Sequence, residues 1–449
     1  MQKMKWSVIA FAVAAASTQM AVASQQSESN GFIEDSTLDL HARTLYFNRD
    51  FRNDRGQYRD DGKKLQTNKG KTQSYAEELG LGLKAIYESG FTQGTVGFGV
   101  DVFGLQGIKL DSGGGRHGGD GNLRMFPTDR RSGKAQDNYS QAGAAVKARL
   151  SNTTLKYGQQ FVDLPVLSTD DSRLLPESTT GFLVTSEEID GLVVHAGHFT
   201  ALSSMNDSNR DSRGNGELRS LDLVGARYNF TDDLSAAYYY SDADLGHKGL
   251  GREKIKKQYL NINYNHPIAD NQSVTVDFNA YSTRYKNKDV AFDRTSKNNI
   301  RSLAVAYNIG AHTFTLGGQK VEGNHADGYE YGYDGGGSVY VLNDVQYNDF
   351  TQKGEKSYQA RYDLDFAQYG IPGLSFMTRY VRGTNIENNG RNNGKNWERD
   401  TDIRYVVQSG AAKDLSLHLR NATYRANDAA GNPDVNEVRF IVEYPLSIL

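Results

Sequence analysis

The sequence contains no cysteine and only seven prolines in 449 residues. The lack of cysteine excludes disulfide frameworks, zinc–thiolate clusters and thiol catalysis. The scarcity of proline leaves long stretches in which every backbone N–H group can join a strand ladder. Such a composition fits an exported fold that is stabilised by closed backbone hydrogen bonding.

Long apolar runs are also missing. After residue 23, no apolar run reaches the roughly 18 residues that a membrane-spanning helix needs. The mean hydropathy of -0.64 does not exclude a membrane barrel, because only every second strand residue of a barrel meets lipid. Glycine (47 residues) and tyrosine (27 residues) are abundant, which is typical of tight turns and aromatic girdles.

The amino-terminus reads as a secretory signal peptide. Lys3 and Lys5 precede an apolar stretch from Trp6 to Ala16, and Ala21-Val22-Ala23 is a small-x-small cleavage site. This pattern predicts a signal peptide over residues 1–23 and a mature chain from Ser24. No linker or change of pattern divides residues 24–449, so we expect a single domain.

The carboxy-terminal hundred residues alternate between apolar and polar side chains. Leu417 and Leu419 share one parity, whereas His418 and Arg420 share the other, and successive strand residues point to opposite faces. Five strands place an arginine on the polar parity: Arg361, Arg379, Arg404, Arg420 and Arg439. A charged face opposite an apolar face suits a sheet with lipid outside and water inside.

Short turns and long polar stretches alternate along the chain. The polar stretches, expected to be loops, are 111–141, 201–219, 241–256, 322–337 and 384–399. Short turns at one end and long loops at the other distinguish an outer-membrane barrel from a soluble sandwich. At roughly 20–25 residues per strand and connection, the sequence predicts an all-β, single transmembrane antiparallel barrel of about 16–20 strands.

Arginine on the wet face has a chemical interpretation. Arginine stays charged and binds carboxylates bidentately, so a row of arginines can pass a carboxylate from one guanidinium to the next. The alternative is that these arginines pair with acids of the same sheet. Other bases on the polar parity either line the permeation path or pair with acids such as Asp39 or Asp363; they are Arg43, Lys84, Lys147 and Arg149.

Several local stretches resemble the OprD (Occ) family of substrate-specific porins of pseudomonads. They run from end to end of the chain: Gly31–Ser36, Tyr46–Asp50, Tyr87–Gly94, Val96–Asp101, Ser172–Pro176, Gly197–Thr200, Gly354–Ser357 and Tyr444–Leu449. The resemblance implies an eighteen-stranded barrel in the outer membrane, narrowed by inward-folded loops. It also implies a ladder of basic residues that guides carboxylated solutes along one wall.

Transferred to this sequence, the ladder falls on the five arginines that parity selects. His418 stands where members of the family often carry another arginine, which would make this rung pH-sensitive. The segment from Leu164 to Thr180 matches the constriction loop, and Asp334 to Phe350 matches a second inward-folding loop. The constriction residues are Asp170, Asp171, Ser172, Arg173 and Glu177.

Two arrangements are open for the constriction loop. Its acids form an acidic side of the eyelet opposite the ladder, or the loop is tied down by its own Arg173. The acidic side would create a transverse field that orients a dipolar solute.

We therefore expect a passive outer-membrane channel for small carboxylates such as aromatic acids or amino acids. The alternatives are a channel for basic amino acids or peptides, a barrel hydrolase and a surface adhesin. The histidines show no metal spacing, and neither a cofactor nor a metal is expected. The expected partners are outer-membrane lipid, lipopolysaccharide and solute, with at most a loose homotrimer. With a net charge of -3, bulk charge gives no reason to expect a nucleic acid.

Overall fold

A computed structural model describes residues 24–52, 74–112, 123–129, 134–211, 216–247, 251–288, 293–325, 328–329 and 339–447. The predicted signal peptide, residues 1–23, lies outside the described residues, as do residues 334–338 of the second predicted inward loop and the carboxy-terminal Ile448 and Leu449. Across these ranges, helices long and apolar enough to cross a membrane are absent.

Twenty strands follow one another along the described chain. They are β1 (Thr37–Phe51), β2 (Tyr75–Glu88), β3 (Val96–Asp111), β4 (Asn138–Leu150), β5 (Thr153–Gln160), β6 (Asp163–Leu164), β7 (Leu167–Ser168), β8 (Ser178–Ile189), β9 (Leu192–Ser203), β10 (Gly216–Asn229), β11 (Leu234–His247), β12 (Gly251–Ala269), β13 (Gln272–Lys288), β14 (Asp293–Ile309), β15 (His312–Gly323), β16 (Lys356–Asp365), β17 (Leu374–Asn388), β18 (Arg391–Val406), β19 (Ser416–Ala426) and β20 (Val435–Ser447). A short 3-10 helix, Phe366–Tyr369, joins β16 to β17.

Eighteen of these strands form one closed wall, and β6 and β7 form a separate hairpin. Each wall strand runs antiparallel to the next one, and β1 pairs with β20 from Asp39↔Ser447 to Phe51↔Val435. Closure leaves no unpaired sheet edge, which is the condition for a sheet to exist in lipid. The predicted single antiparallel barrel of about 18 strands is confirmed.

The two faces of the wall follow the predicted parity. On β19 and β20, Leu417, Leu419 and Phe440 point outward and are 37%, 45% and 43% exposed. Their neighbours Arg420 and Arg439 point inward and are buried. The apolar parity is therefore the lipid face, and the arginine parity faces the lumen.

Two of the predicted loops are strands instead. The segments 241–256 and 384–399 are mostly extensions of β11, β12, β17 and β18 beyond the apolar band. The β17–β18 hairpin turns through Asn389 and Gly390, whose φ angles of 48° and 77° fit a tight type I′ turn. Beyond the apolar band the outward residues are mostly polar, whereas inward residues such as Leu245, Ile386 and Asn396 stay buried. Backbone pairing therefore continues after the outward apolar residues have ended.

Two connections fold into the barrel. The β5–β8 connection, residues 161–177, carries the β6–β7 hairpin, whose Leu164 and Leu167 pack in one apolar cluster with residues of β9–β15. Its far end reaches β1–β4, where Leu174 and Leu175 join a second buried cluster. The β15–β16 connection crosses from Gln319 to β18 and β20 over residues 339–355. Both predicted inward-folding loops are therefore present in the described ranges.

The β5–β8 connection packs closely against the β2 wall, because glycine there leaves room for it. A Cβ added at Gly82 would lie 2.6 Å from the carbonyl oxygen of Leu174, whereas one added at Gly104, on the outer face of β3, would meet nothing within 4 Å. The close contact is with the backbone of Leu174, which cannot rotate away as a flexible side chain can. A side chain at position 82 would therefore force the loop to move.

We predict that Gly82→Ala lowers the stability of the barrel by about 1–3 kcal/mol, as overpacking does. It should also change the single-channel conductance, because the loop must shift away from the wall. The matched substitution Gly104→Ala should leave both the thermal unfolding temperature and the conductance unchanged. Equal behaviour of the two variants would show that the wall does not position this loop.

Candidate functional site

The lumen wall carries a continuous row of charged residues across β16–β20. Arg361 of β16 is paired in register with Arg379 of the adjacent strand β17, and Arg379 is paired in the same way with Asp400 of β18. Two residues along β18 from Asp400, Asp402 lies opposite Arg420, which in turn lies opposite Arg439. We call Arg361, Arg379, Arg404, Arg420 and Arg439, with His418, the arginine row.

Strand tilt turns this transverse row into an oblique one. Neighbouring strands lie about 4.8 Å apart and tilt by about 40° from the barrel axis. Each step to the next strand therefore moves the row by about 3 Å along the axis. The four strand-to-strand steps from β16 to β20 alone amount to about 12 Å along the lumen. The two-residue shift along β18 from Asp400 to Asp402 displaces the row separately. The row therefore runs obliquely along the wall as a ladder.

Four members of the row are paired with carboxylates of the same wall. The closest N–O distances are 2.6 Å for Arg361–Asp363, 2.6 Å for Arg379–Asp400, 2.9 Å for Arg420–Asp402 and 2.6 Å for Arg439–Glu437. These four arginines are therefore paired with acids of the same sheet, which is the alternative that the sequence left open. A guanidinium has five N–H donors, so one carboxylate does not use its full hydrogen-bonding capacity.

Two members of the row differ from the others. Arg404 is exposed and donates from Nε to the hydroxyl of Ser416 at 2.9 Å. His418, opposite Arg404 in the register, contacts the same carboxylate as Arg420, that of Asp402. This rung is therefore a buried imidazole that shares an acid with the next rung.

Three guanidinium groups surround the ring of Phe47. Arg439, Arg173 and Arg49 lie 4.4, 5.2 and 5.3 Å from its centroid. Glu437 binds two of the three, at 2.7 Å from Arg49 and 2.6 Å from Arg439. We call Arg49, Arg173 and Arg439 the guanidinium cluster. It joins the end of the arginine row to the constriction loop.

Arg173 is the loop's contribution to this cluster. Its side chain donates to the carbonyl of Leu123 at 2.9 Å and to the hydroxyl of Ser172 at 2.8 Å. In the described part of the chain, no carboxylate pairs with it. Burial, together with the positive charge of Arg439, lowers the pKa of the Arg173 guanidinium to about 9, so it remains cationic at neutral pH.

Asp171 ties the constriction loop to the wall. Its carboxylate accepts from Arg43 of β1 at 2.7 Å and from Lys84 of β2 at 3.1 Å. Burial acts to raise the pKa of the Asp171 carboxyl, but Arg43 and Lys84 outweigh it and hold that pKa well below its usual range. Arg43 also binds Glu443 at 2.8 Å, so both predicted bases of this wall segment are in charge pairs.

The predicted acidic side of the eyelet differs from the observed arrangement. Glu177 is 0% exposed and is bound by Arg124, while Asp170 accepts from the backbone N–H and the hydroxyl of Ser172. Asp171 faces bases directly instead of lying across the lumen from them. The physical reason is that a buried carboxylate such as Glu177 needs nearby donors, while the partly exposed Asp171 is attracted by the two bases beside it. Positive and negative charges are therefore interleaved.

Lys147 and Arg149 lie at the other end of the lumen. Lys147 pairs with Asp101 at 2.6 Å, and Arg149 donates to the side chain of Gln26 at 3.1 Å. Arg149 also lies 4.1 Å from the ring centroid of Phe91, in the β2–β3 turn. These two bases hold the amino-terminal segment and that turn, away from the guanidinium cluster.

The second inward loop is held by acids of β18. Glu398 accepts from the backbone N–H groups of Tyr347 and Asn348 at 2.8 and 2.9 Å. The carbonyl of Gln346, at the same bend, accepts from Arg439 at 3.1 Å. The loop therefore rests on the arginine row itself.

Sequence reasoning missed Arg49, Glu437 and Tyr347 as parts of this site. Arg49 has the same parity on β1 as Arg43, a signal that was available in the sequence. Its proximity to Glu437 depends on the β1–β20 closure, which places residues from opposite ends of the chain in register. Tyr347, 4.8 Å from Arg49, lies in a loop whose path no strand pattern defines.

The base of the second loop contains a buried acid. Glu355 is 0% exposed, and its carboxylate accepts from the backbone N–H of Gln352 at 3.0 Å. Burial raises the pKa of the Glu355 carboxyl from its ordinary 4.5 to about 7, against weaker opposing effects of Gln352 and Asn396. Tyr424 and the nearby Lys353–Glu387 pair are the other titratable groups around this corner.

We predict that the anchoring of this loop weakens as pH rises. A folded-state pKa above the unfolded value means that the stabilisation is complete below about pH 4.5 and is lost through pH 7. The shift corresponds to about 3 kcal/mol. Hydrogen exchange of residues 339–355, corrected for the chemical rate, should be faster at pH 8 than at pH 5. Glu355→Gln should remove this difference and Glu387→Gln should preserve it; the reverse pattern would contradict the assignment.

Comparison with known proteins places this geometry in a family. The family model for outer membrane porins of the OprD family matches residues 30–448. Porin D of Pseudomonas aeruginosa is 46% identical, with 100% of both chains covered. OccAB1 of Acinetobacter baumannii superposes with a TM-score of 0.80 at 33% identity, covering 95% of this chain and 100% of that one.

A third relative, OpdK of Pseudomonas aeruginosa, was solved with vanillate. It superposes with a TM-score of 0.76 at 32% identity, covering 93% of this chain and 100% of that chain. The named relatives are porins, which are channels and not enzymes. The chain belongs to the OprD family of substrate-specific outer-membrane porins.

Proposed function

We propose that this porin takes up small carboxylate-bearing solutes, which move passively along the arginine row and past the guanidinium cluster. The observation that carries the proposal is the cluster itself. Three guanidinium groups are held together around the buried ring of Phe47, and their combined positive charge attracts a carboxylate. An aromatic acid or an amino acid presents such a carboxylate.

The acids of the wall make this binding weak, as conduction requires. A solute carboxylate competes with Asp400, Asp402 and Glu437 for guanidinium donors that are already in use. Each rung therefore exchanges one carboxylate for another, with a small net change in free energy. Flux depends on several such shallow sites in series and is slowed by a single deep one.

A relative gives indirect support for a carboxylate solute. OpdK, which shares the fold and 32% of the aligned sequence, was solved with vanillate, an aromatic carboxylate. A carboxylate solute is therefore compatible with this architecture.

Arg404 offers the sharpest test of the row. It is exposed and pairs with a hydroxyl, so its replacement leaves no buried acid without a partner. We predict that Arg404→Gln weakens block of the channel by benzoate about tenfold, the effect of one charge-assisted hydrogen bond. It should also shift the reversal potential in a KCl gradient toward cation selectivity.

A second variant tests a paired rung. Arg379→Gln combined with Asp400→Asn removes both charges and keeps hydrogen-bonding groups in place, which avoids the cost of an orphaned buried carboxylate. The control is Lys413→Gln in the turn between β18 and β19; Lys413 is an exposed base that does not belong to the arginine row. Unchanged benzoate block and unchanged selectivity in both row variants would refute guidance by the arginine row.

A channel for basic amino acids is the second candidate. The observation that favours it is the interleaving of charges, because Asp171 keeps a side chain that is 37% exposed beside Arg43 and Lys84. An amino acid such as arginine would place its carboxylate on a guanidinium and its own cation near such an acid. Liposome swelling separates the two: faster swelling in benzoate supports the carboxylate channel, and faster swelling in arginine supports this alternative.

A further inference from the structure

The outer face of β12–β18 carries a belt of exposed or half-exposed bases. Their parity is that of the outward apolar residues Leu260, Leu303 and Leu316, so they point away from the lumen. We call this set the basic belt; it consists of Lys256, Arg284, Lys297, Arg301, Lys320, Lys356, Arg382 and Arg399.

The strand register sets like charges directly side by side within the belt. Lys256 faces Arg284, and Arg284 faces Lys297. Arg301 faces Lys320, and Lys320 faces Lys356. Like charges in direct register across antiparallel strands destabilise a sheet. The sequence has thus assembled two rows of three cations that repel one another.

Acids compensate only part of this charge. Asp242 holds Lys256 at 3.1 Å, and Glu322 contacts Lys320 and lies 3.8 Å from Arg301. Among the described residues, no carboxylate pairs with the side chains of Arg284, Lys297, Arg382 or Arg399. An anion from outside the chain would relieve the remaining repulsion.

The belt lies at one boundary of the apolar band. On β14 the outward residues run from Lys297 and Arg301 to Leu303 and Val305, and on β12 Lys256 precedes Leu260 in the same way. The belt is at the end of the barrel that carries the long connections, which in bacterial barrels is the extracellular end. Its bases therefore lie at the headgroup level of the outer leaflet.

The belt occupies one side of the barrel. At the same end of β1–β4, the outward residues are neutral or acidic: Asn48, Asp50, Glu77, Gln106 and Ser140. A second copy of the chain docking belt to belt would bring like charges together. The charge pattern therefore favours an anionic lipid as the occupant of this face.

We infer that the basic belt binds the phosphate groups of a phosphorylated glycolipid in the outer leaflet. Arginine binds phosphate with a bidentate fork, and lysine acts as a point charge beside it. The apolar residues just below the belt would meet the acyl chains of the same molecule. This binding is independent of which solute passes through the lumen.

The test uses the purified full-length barrel in detergent, titrated with diphosphoryl lipid A, monophosphoryl lipid A and phosphatidylethanolamine, with bound lipid counted by native mass spectrometry. We expect the wild type to prefer diphosphoryl lipid A. The triple variant Arg284→Gln, Lys297→Gln, Arg382→Gln should bind it on the order of 100-fold more weakly, because each base near an anionic lipid surface contributes about fivefold.

The matched control removes three exposed bases outside the belt: Arg52→Gln, Arg391→Gln and Lys413→Gln. It should bind lipid A as the wild type does. Heat-modifiable mobility and single-channel conductance, both unchanged in the two triple variants, would show that the barrels are folded. Equal binding of lipid A by the belt variant and the wild type would overturn the inference. So would equal binding of phosphatidylethanolamine, or full displacement of lipid A by millimolar inorganic phosphate.

Discussion

The backbone hydrogen-bonded pairing of β1 with β20 is the constraint on which the rest of the molecule depends. It closes the wall, so that backbone polar groups within the membrane have partners. It also creates the candidate site, because Arg49 of the first strand meets Glu437 and Arg439 of the last strand only through this pairing. An eighteen-stranded wall is wide enough to leave a lumen, and the two inward loops narrow it. Closure therefore comes first, and the position of each charge in the lumen follows from the register that closure sets.

Alternation made the wall predictable from sequence. Parity on β16–β20 assigned Arg361, Arg379, Arg404, Arg420 and Arg439 to the lumen correctly, because period two is a direct consequence of strand geometry. In 384–399 most of the outward residues are polar and most of the buried inward ones, such as Asn396 and Glu398, are polar too, so the sequence shows no apolar–polar alternation although the strands continue. Loop contacts are harder still. That Asp171 would bind Arg43, and that Glu177 would be buried, depends on how a loop crosses the lumen. No local pattern encodes that path.

The acids that accompany the arginines change how the row should be understood. A wall of unpaired guanidiniums would hold anions firmly and would repel its own members. Asp400, Asp402 and Glu437 fix the guanidinium groups in position through ion pairs. If carboxylates move along the row as proposed, little side-chain entropy is lost on binding, and the same acids compete with the solute and keep each site shallow. Interleaved charges would then both order the guanidinium groups and allow the solute to leave.

The two inward loops and the arginine row are coupled through shared residues. Arg439 belongs to the arginine row, to the guanidinium cluster and to the anchor of the second loop, where it donates to the carbonyl of Gln346. Arg43 belongs to the wall and holds the constriction loop through Asp171. On the proposed path, a solute carboxylate that drew a guanidinium group toward itself would therefore loosen a contact of a loop. The width of the eyelet and the occupancy of the row would then depend on one network of contacts, and a substitution in either loop would act first through the guanidinium groups that hold that loop.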